Sequence, residues 1–195
     1  MKLFRKRYRT DSMRLPGRDY SQPGRYFVTV CTKDRNCWFG SIRRDIVSLN
    51  DIGCIAADEL QRTASIRPEI IIDRWIVMPN HLHAIIIIDP PADDDVETSR
   101  LVETSRRDVS TWIAELIPLC RLRPRSLGAV VNHIKAAATK RIRRLGYHNF
   151  SWQPLFHDRI IRNEKALYAA RNYIVMNPVN WPRDRNYRPD HSYHA

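Results

Sequence analysis

The sequence predicts an α+β fold, a ferredoxin-like sandwich in which helices cover one face of an antiparallel sheet and a further helix is added at the C-terminal side. Three observations predict it. Period-two runs rich in β-branched and aromatic residues alternate with apolar stripes at helical spacing, in the order strand, helix, strand, strand, helix, strand, helix. Two of the strands are separated only by Pro79, Asn80 and His81, a connection short enough to make them antiparallel neighbours. With 195 residues the chain suits one domain with modest extensions and is too short for two full ones.

Residues 1–18 carry seven Lys or Arg against one acid, Asp11, which indicates a flexible basic arm or a solvated tail. The first strand is Tyr26 to Thr32, preceded by Gly24 and turned by Asp34 to Asn36. Asn50 or Asp51 then caps a helix whose apolar positions Ile52, Ile55, Ala56 and Leu60 fall on one face and which ends before Pro68. The strand pair is Glu69 to Met78 and Leu82 to Ile88, the second apolar on both faces and therefore central. A polar insertion loop at 89–110, with Val-Glu-Thr-Ser-Arg at 96–100 and again at 102–106, follows as a surface excursion. Ser126 caps a long helix with the stripe Leu127, Val130 or Val131, Ile134, Ala138, Ile142 and Leu145. A strand at Arg159 to Arg162 and a last helix, capped by Asn163 and stopped by Pro178, complete a domain at 19–182. Residues 183–195 are polar and predicted to be a mobile tail.

Charge narrows the function. Lys plus Arg number 33 against 21 Asp plus Glu, a net charge of +12, and the pI is near 10.0, the electrostatic footprint of a polyanion binder. Between Arg121 and Leu145 lie Arg121, Arg123, Arg125, Lys135, Lys140, Arg141, Arg143 and Arg144 with no acid among them, so this segment suits a phosphate backbone. The longest apolar run, Ala84 to Ile88, is too short to span a bilayer, and the four cysteines show no Cys-x-x-Cys pairing and no preceding secretory signal. The expectation is a cytoplasmic, nucleoid-associated protein with no membrane partner.

His81 and His83 open the central strand, and strand alternation points both imidazoles to one face, where a single metal ion can touch both. Tyr173 and Asn177 stand four apart near the end of the last helix, which puts the phenol and the amide one turn from each other. Each pair alone is more often a packed histidine pair or an ordinary helix terminus. Trp38 and Trp152 are candidate base-stacking residues, although a Trp beside a strand is more often core. Asp73 is placed to pair with Arg74 or Arg159.

The string Trp75-Ile-Val-Met-Pro-Asn-His-Leu-His-Ala-Ile-Ile, followed by Trp152-Gln153, Ile160-Ile161-Arg162-Asn163-Glu164 and Tyr173-Ile-Val-Met-Asn177-Pro178-Val-Asn-Trp181, resembles the REP-associated tyrosine transposases, a group of the HUH single-strand DNA transposases. Asp19-Tyr20-Ser21, the strand from Gly24 to Thr32 and Phe39-Gly40 extend the likeness over about residues 19–182. The resemblance implies Mg²⁺ or Mn²⁺ held by His81 and His83, a further ligand at Asn177, and Tyr173 on the C-terminal helix as the nucleophile. It implies single-stranded or hairpin DNA as substrate, cut and rejoined through a 5′-phosphotyrosine, by a monomer or homodimer. Where the family often has a histidine before Ile160-Ile161-Arg162 this chain has Arg159, with His157 two positions earlier. Two other readings share the fold: a catalytically silent hairpin-DNA-binding protein, and a nuclease that activates water in place of tyrosine.

Overall fold

The computed structural model describes residues 17–89 and 125–188, together with a short antiparallel pairing of Leu3–Phe4 with Tyr8–Arg9. The rest of the basic arm, the insertion loop and residues 189–195 lie outside the described residues, as do Arg121 and Arg123. In chain order the elements are β1 (Gly24–Cys31), β2 (Gly40–Arg43), β3 (Ile46–Leu49), α1 (Asp51–Ile66), β4 (Ile70–Met78), β5 (His81–Ile88), α2 (Leu127–Arg144), β6 (His157–Ile161) and α3 (Glu164–Met176). The main sheet has the order β4-β5-β1-β6, and every pairing in it is antiparallel. This is the ferredoxin-like arrangement, with β1 and β5 at the centre.

The helix starts are set by side chains that accept the first free backbone N–H groups. Asn50 accepts from the Gly53 N–H at 2.9 Å, Ser126 from Ala129 at 3.3 Å and Asn163 from Ala166 at 2.8 Å. One element escapes the sequence pattern: the β2–β3 hairpin, whose strands are only four residues each and whose apolar residues are mostly exposed or half-buried. The strand read as Arg159 to Arg162 begins earlier, at His157.

Strand alternation divides the core. Tyr26, Val28, Val30, Leu82, Ala84, Ile86 and Ile88 pack beneath α1 and α2, with Ile134, Ala138 and Ile142 from the α2 stripe; Leu145, the last residue of the predicted stripe, is exposed. The opposite face carries a smaller cluster of Ile85, Ile161, Leu167 and Ile174, with Phe27, Ile76 and Ile87 against it. The added helix α3 therefore lies on the other side of the sheet from α1 and α2. A β-bulge in β4, where Ile72 pairs with Ile86 and Trp75 with Ala84, adds one residue to the strand, so that Trp75 and Val77 rejoin the layer that Ile70 and Ile72 face. Asp73, next after Ile72 and so turned to the opposite, α3 face, is bonded by Arg171 Nε and Nη2 at 2.8 and 2.7 Å, rather than by Arg74 or Arg159.

Residues 183–188, expected to belong to a mobile tail, fold back onto the end of the sheet. Trp181 is buried and Asn186 is only 2% exposed. The anchor is the Trp181 ring together with the Asn186 carbonyl, which accepts from Asn80 Nδ2 at 2.8 Å.

Candidate active site

The α3 face of β5 holds both histidines at its first turn from β4. Pro79 and Asn80 form the two-residue connection, with Met78 opposite His81 in the register. His81 and His83 are essentially buried, and their Nε2 atoms face each other at 3.0 Å. The outer ring nitrogens are held from behind: His81 Nδ1 lies 2.8 Å from Asn80 Oδ1, and His83 Nδ1 lies 2.9 Å from Thr29 Oγ1. Thr29 stands directly opposite His83 on β1. Burial, with the nearby guanidinium groups of Arg185 and Arg35, pushes His81 down to about 3. Burial and the neighbouring His81 push His83 well below the usual histidine range. Both imidazoles are therefore neutral at physiological pH, the state in which a histidine binds a metal.

Helix α3 delivers the phenol. The Tyr173 ring stands edge-on to His83, with centroids 5.2 Å apart, and to Phe27 at 5.6 Å. It remains 44% exposed, so a substrate can reach it. One turn on, Asn177 is buried. Both residues meet a group that the sequence did not single out: Tyr173 Oη donates to Asp184 Oδ2 at 3.2 Å, and Asn177 Nδ2 donates to the same oxygen at 3.3 Å. Asp184 Oδ1 accepts from its own Asn186 N–H at 2.6 Å, which fixes the carboxylate in a local turn. Ligand atoms of His81, His83 and Asp184 all lie within 4.8 Å of one another. Burial, and next the Asp184 carboxylate, raise the Tyr173 phenol above its ordinary value.

The residues fit a divalent cation. The Asn80 amide nitrogen faces two carbonyl oxygens, so its oxygen must be the atom beside His81 Nδ1; that nitrogen then carries the proton and Nε2 a lone pair. Asn177 Oδ1 is buried and, among the described residues, has no hydrogen-bond partner. A carboxylate, an unpaired amide oxygen and two neutral imidazoles make a mixed oxygen–nitrogen donor set of the kind that Mn²⁺ accepts and Mg²⁺ meets through its oxygens. His157 lies opposite Thr29 on β6, on the same face but one strand farther from the pair.

The predicted basic residues divide into two groups. Lys135 is committed, donating from Nζ to the Gln153 and Pro154 carbonyls at 2.6 and 3.2 Å. Arg141 pairs with Asp58 and with Glu59 on α1. Arg125 is exposed with φ 64° just before the Ser126 cap. Lys140, Arg143 and Arg144 are exposed and line, with His148 and Gln153, a groove of about 1070 Å³ that no acid borders. Trp152 is buried in the α1–α2 core and Trp38 packs on its rim, both as core residues.

No known family profile matches the chain. A Haemophilus influenzae protein described only as uncharacterized is 29% identical over 179 residues, covering 90% of this chain and 92% of that one. Among solved structures, one of a REP-associated tyrosine transposase bound to a REP hairpin aligns with TM-score 0.51 and 22% identity, over 91% of this chain and 89% of that one. A structure of a candidate transposase from Deinococcus radiodurans R1 aligns at 0.44 with 14% identity, over 83% and 95%, too loosely to carry an argument. No helix among the described residues is long and apolar enough to cross a membrane. At the level of backbone architecture, this chain shares the α+β fold of a REP-associated tyrosine transposase.

Proposed function

We propose that the protein is a metal-dependent tyrosine transposase that cleaves and rejoins hairpin-containing single-stranded DNA. The observation that carries this reading is the convergence of Tyr173, the His81–His83 pair, Asn177 and Asp184, although they come from three separate stretches of chain. Shared fold with a hairpin-bound transposase supports it.

His81, His83 and an oxygen ligand, Asn177 Oδ1 or the Asp184 carboxylate, would hold Mg²⁺ or Mn²⁺. When bound, the ion supplies Lewis-acid polarisation of the scissile phosphate. The chain does the rest. Helix α3 holds the phenol beside His83, so the nucleophile is positioned before substrate arrives. Asp184, already accepting the phenol's hydrogen bond, is the group placed to take its proton as the Tyr173 oxygen bonds to phosphorus. The P–O3′ bond breaks, the leaving 3′ oxygen takes up a proton from solvent, and the DNA 5′ phosphate stays on tyrosine. Attack by a 3′ hydroxyl reverses the step, so no nucleotide cofactor is consumed. The groove beside α2, with Lys140, Arg143 and Arg144, supplies cations for the paired stem.

The test is incubation with Mn²⁺ and an oligonucleotide carrying a hairpin and a single-stranded flank. A covalent protein–DNA adduct should form and disappear in Tyr173→Phe. An adduct that survives in that variant moves the nucleophile elsewhere, with the exposed Tyr168 the first alternative. Hairpin binding without cleavage under any divalent metal leaves a silent binding protein, and water oxygen incorporated at the first cut identifies a nuclease.

A further inference from the structure

Asn80 is fully buried, and its contacts reach well beyond the His81 ring. Both polar atoms of its side chain and its carbonyl oxygen are engaged. Its Oδ1 lies 2.8 Å from His81 Nδ1. Its Nδ2 donates to the Arg35 carbonyl at 3.0 Å and to the Asn186 carbonyl at 2.8 Å. Its own carbonyl accepts from the Thr32 N–H at 2.9 Å and from Thr32 Oγ1 at 3.0 Å. One amide thus joins a histidine ring, the segment after β1 and the returning C-terminal segment.

We infer that Asn80 is a positioning residue that fixes the His81 tautomer and, through the same side chain, seats residues 181–188 so that Asp184 meets Tyr173. The inference rests on the metal-site reading of the histidine pair and adds how that site is assembled. The chemistry leaves little choice. An amide has one acceptor oxygen and one two-hydrogen nitrogen, and here both nitrogen hydrogens are spent on carbonyls. The oxygen that remains can only accept, so His81 must present its proton at Nδ1 and its lone pair at Nε2, toward His83. Asn186, whose carbonyl takes one of those hydrogens, also gives its N–H to Asp184 Oδ1. From the Asn80 amide to the Tyr173 hydroxyl the chain of contacts runs through two residues, Asn186 and Asp184. Trp181, its ring tilted against His81 with centroids 5.9 Å apart, belongs to the same segment.

Two consequences can be measured without DNA. In the metal-free wild-type chain, ¹⁵N NMR of the histidine rings should show His81 protonated at Nδ1 and bare at Nε2; the opposite tautomer overturns the proposal. Asn80→Asp keeps the acceptor beside His81 but sets an oxygen against two carbonyls. Its amide exchange at residues 184–188 should rise at least tenfold over wild type, while β5 exchange stays unchanged. Exchange at 184–188 equal to wild type in that variant overturns the coupling. Should Asn80→Asp fail to fold, Asn80→Ser, smaller and unable to span both carbonyls, gives the same comparison. Mn²⁺ titration separates this idea from the broader one: Asn80→Ala should weaken Mn²⁺ by about tenfold, the usual scale for loss of a group behind a ligating histidine, whereas a wild-type chain that takes no Mn²⁺ removes the metal site and leaves the tautomer and exchange results standing.

Discussion

At the level of single residues the site separates into groups that a sequence displays and groups that it hides. His81 and His83 are visible because strand alternation alone places both rings on one side, and Tyr173 and Asn177 because helical spacing does the same. Asp184 is hidden. It sits in a stretch where charged residues are ordinary, and only a long-range return of the chain brings it to Tyr173; the buried Trp181 in otherwise polar surroundings is the one local sign that the segment is anchored. Thr29 is hidden for a related reason, since its contact with His83 depends on the register between β1 and β5. The distinction is testable with metal alone. Removing the imidazole in His83→Ala should lower Mn²⁺ affinity at least tenfold, as expected for loss of one of very few ligands. His157→Ala, on the same face but beside Thr29 rather than at the pair, should leave it unchanged within a factor of about two, read by Mn²⁺ electron paramagnetic resonance titration. Equal losses in both variants would relocate the ion toward β6.

For the secondary-structure elements, most starts are legible because capping chemistry is local: Asn50, Ser126 and Asn163 each mark a helix that the structure contains. What locality does not reveal is which layer a helix joins. The place of α3 on the face opposite α1 and α2 is held by long-range contacts, the apolar cluster of Ile85, Ile161, Leu167 and Ile174 and the ion pair of Asp73 with Arg171. Arg171 is two residues before Tyr173, so this bidentate ion pair ties the helix that carries the candidate tyrosine to β4. The hydrogen bonds from Arg171, and next its charge, hold the Asp73 carboxyl below its ordinary 3.8. A depressed carboxylate contributes stability that is fully present above that ordinary value and is lost as pH falls through the lower folded value. The melting temperature of wild type should therefore exceed that of Arg171→Gln at neutral pH, and the gap should begin to close only as pH drops below about 4. Because the arginine side chain is 41% exposed, screening keeps the gap small, and 1 M salt should narrow it further. A gap that persists unchanged to pH 2 would mean that Arg171 acts by packing. The cap gives an independent figure: Asn163→Ala should cost about 1 kcal/mol, and, because the lost bond is at the start of α3, it should loosen exchange there before it affects β5.

Taken as a whole, the molecule places the candidate site and the α2 groove on different sides of one sheet. The histidines and Tyr173 lie on the α3 face, while Lys140, Arg143 and Arg144 project from α2, packed on the other. The net charge of +12 announced a polyanion ligand, but charge counted along a sequence does not say which cations are spent internally, and Lys135 and Arg141 are spent on carbonyls and on α1 carboxylates. The three exposed cations that line the α2 groove make a distinct claim about binding. If a paired stem lies in the α2 groove, each phosphate contact contributes about 0.9 to the slope of log affinity against log salt. Replacing Lys140, Arg143 and Arg144 together by Gln should then flatten that slope by as much as about 3 for hairpin DNA, with the loss of affinity greatest at low salt. Adduct formation by the same variant should recover when the oligonucleotide concentration is raised, because nothing on the α3 face has changed and only occupancy is limiting. Arg62→Gln, a cation on α1 partly paired with Glu59, provides the control and should leave the slope in place. An unchanged slope in the triple variant would move the stem to another surface, and an adduct yield that saturating DNA fails to restore would show that the groove and the tyrosine are not independent sites but parts of one.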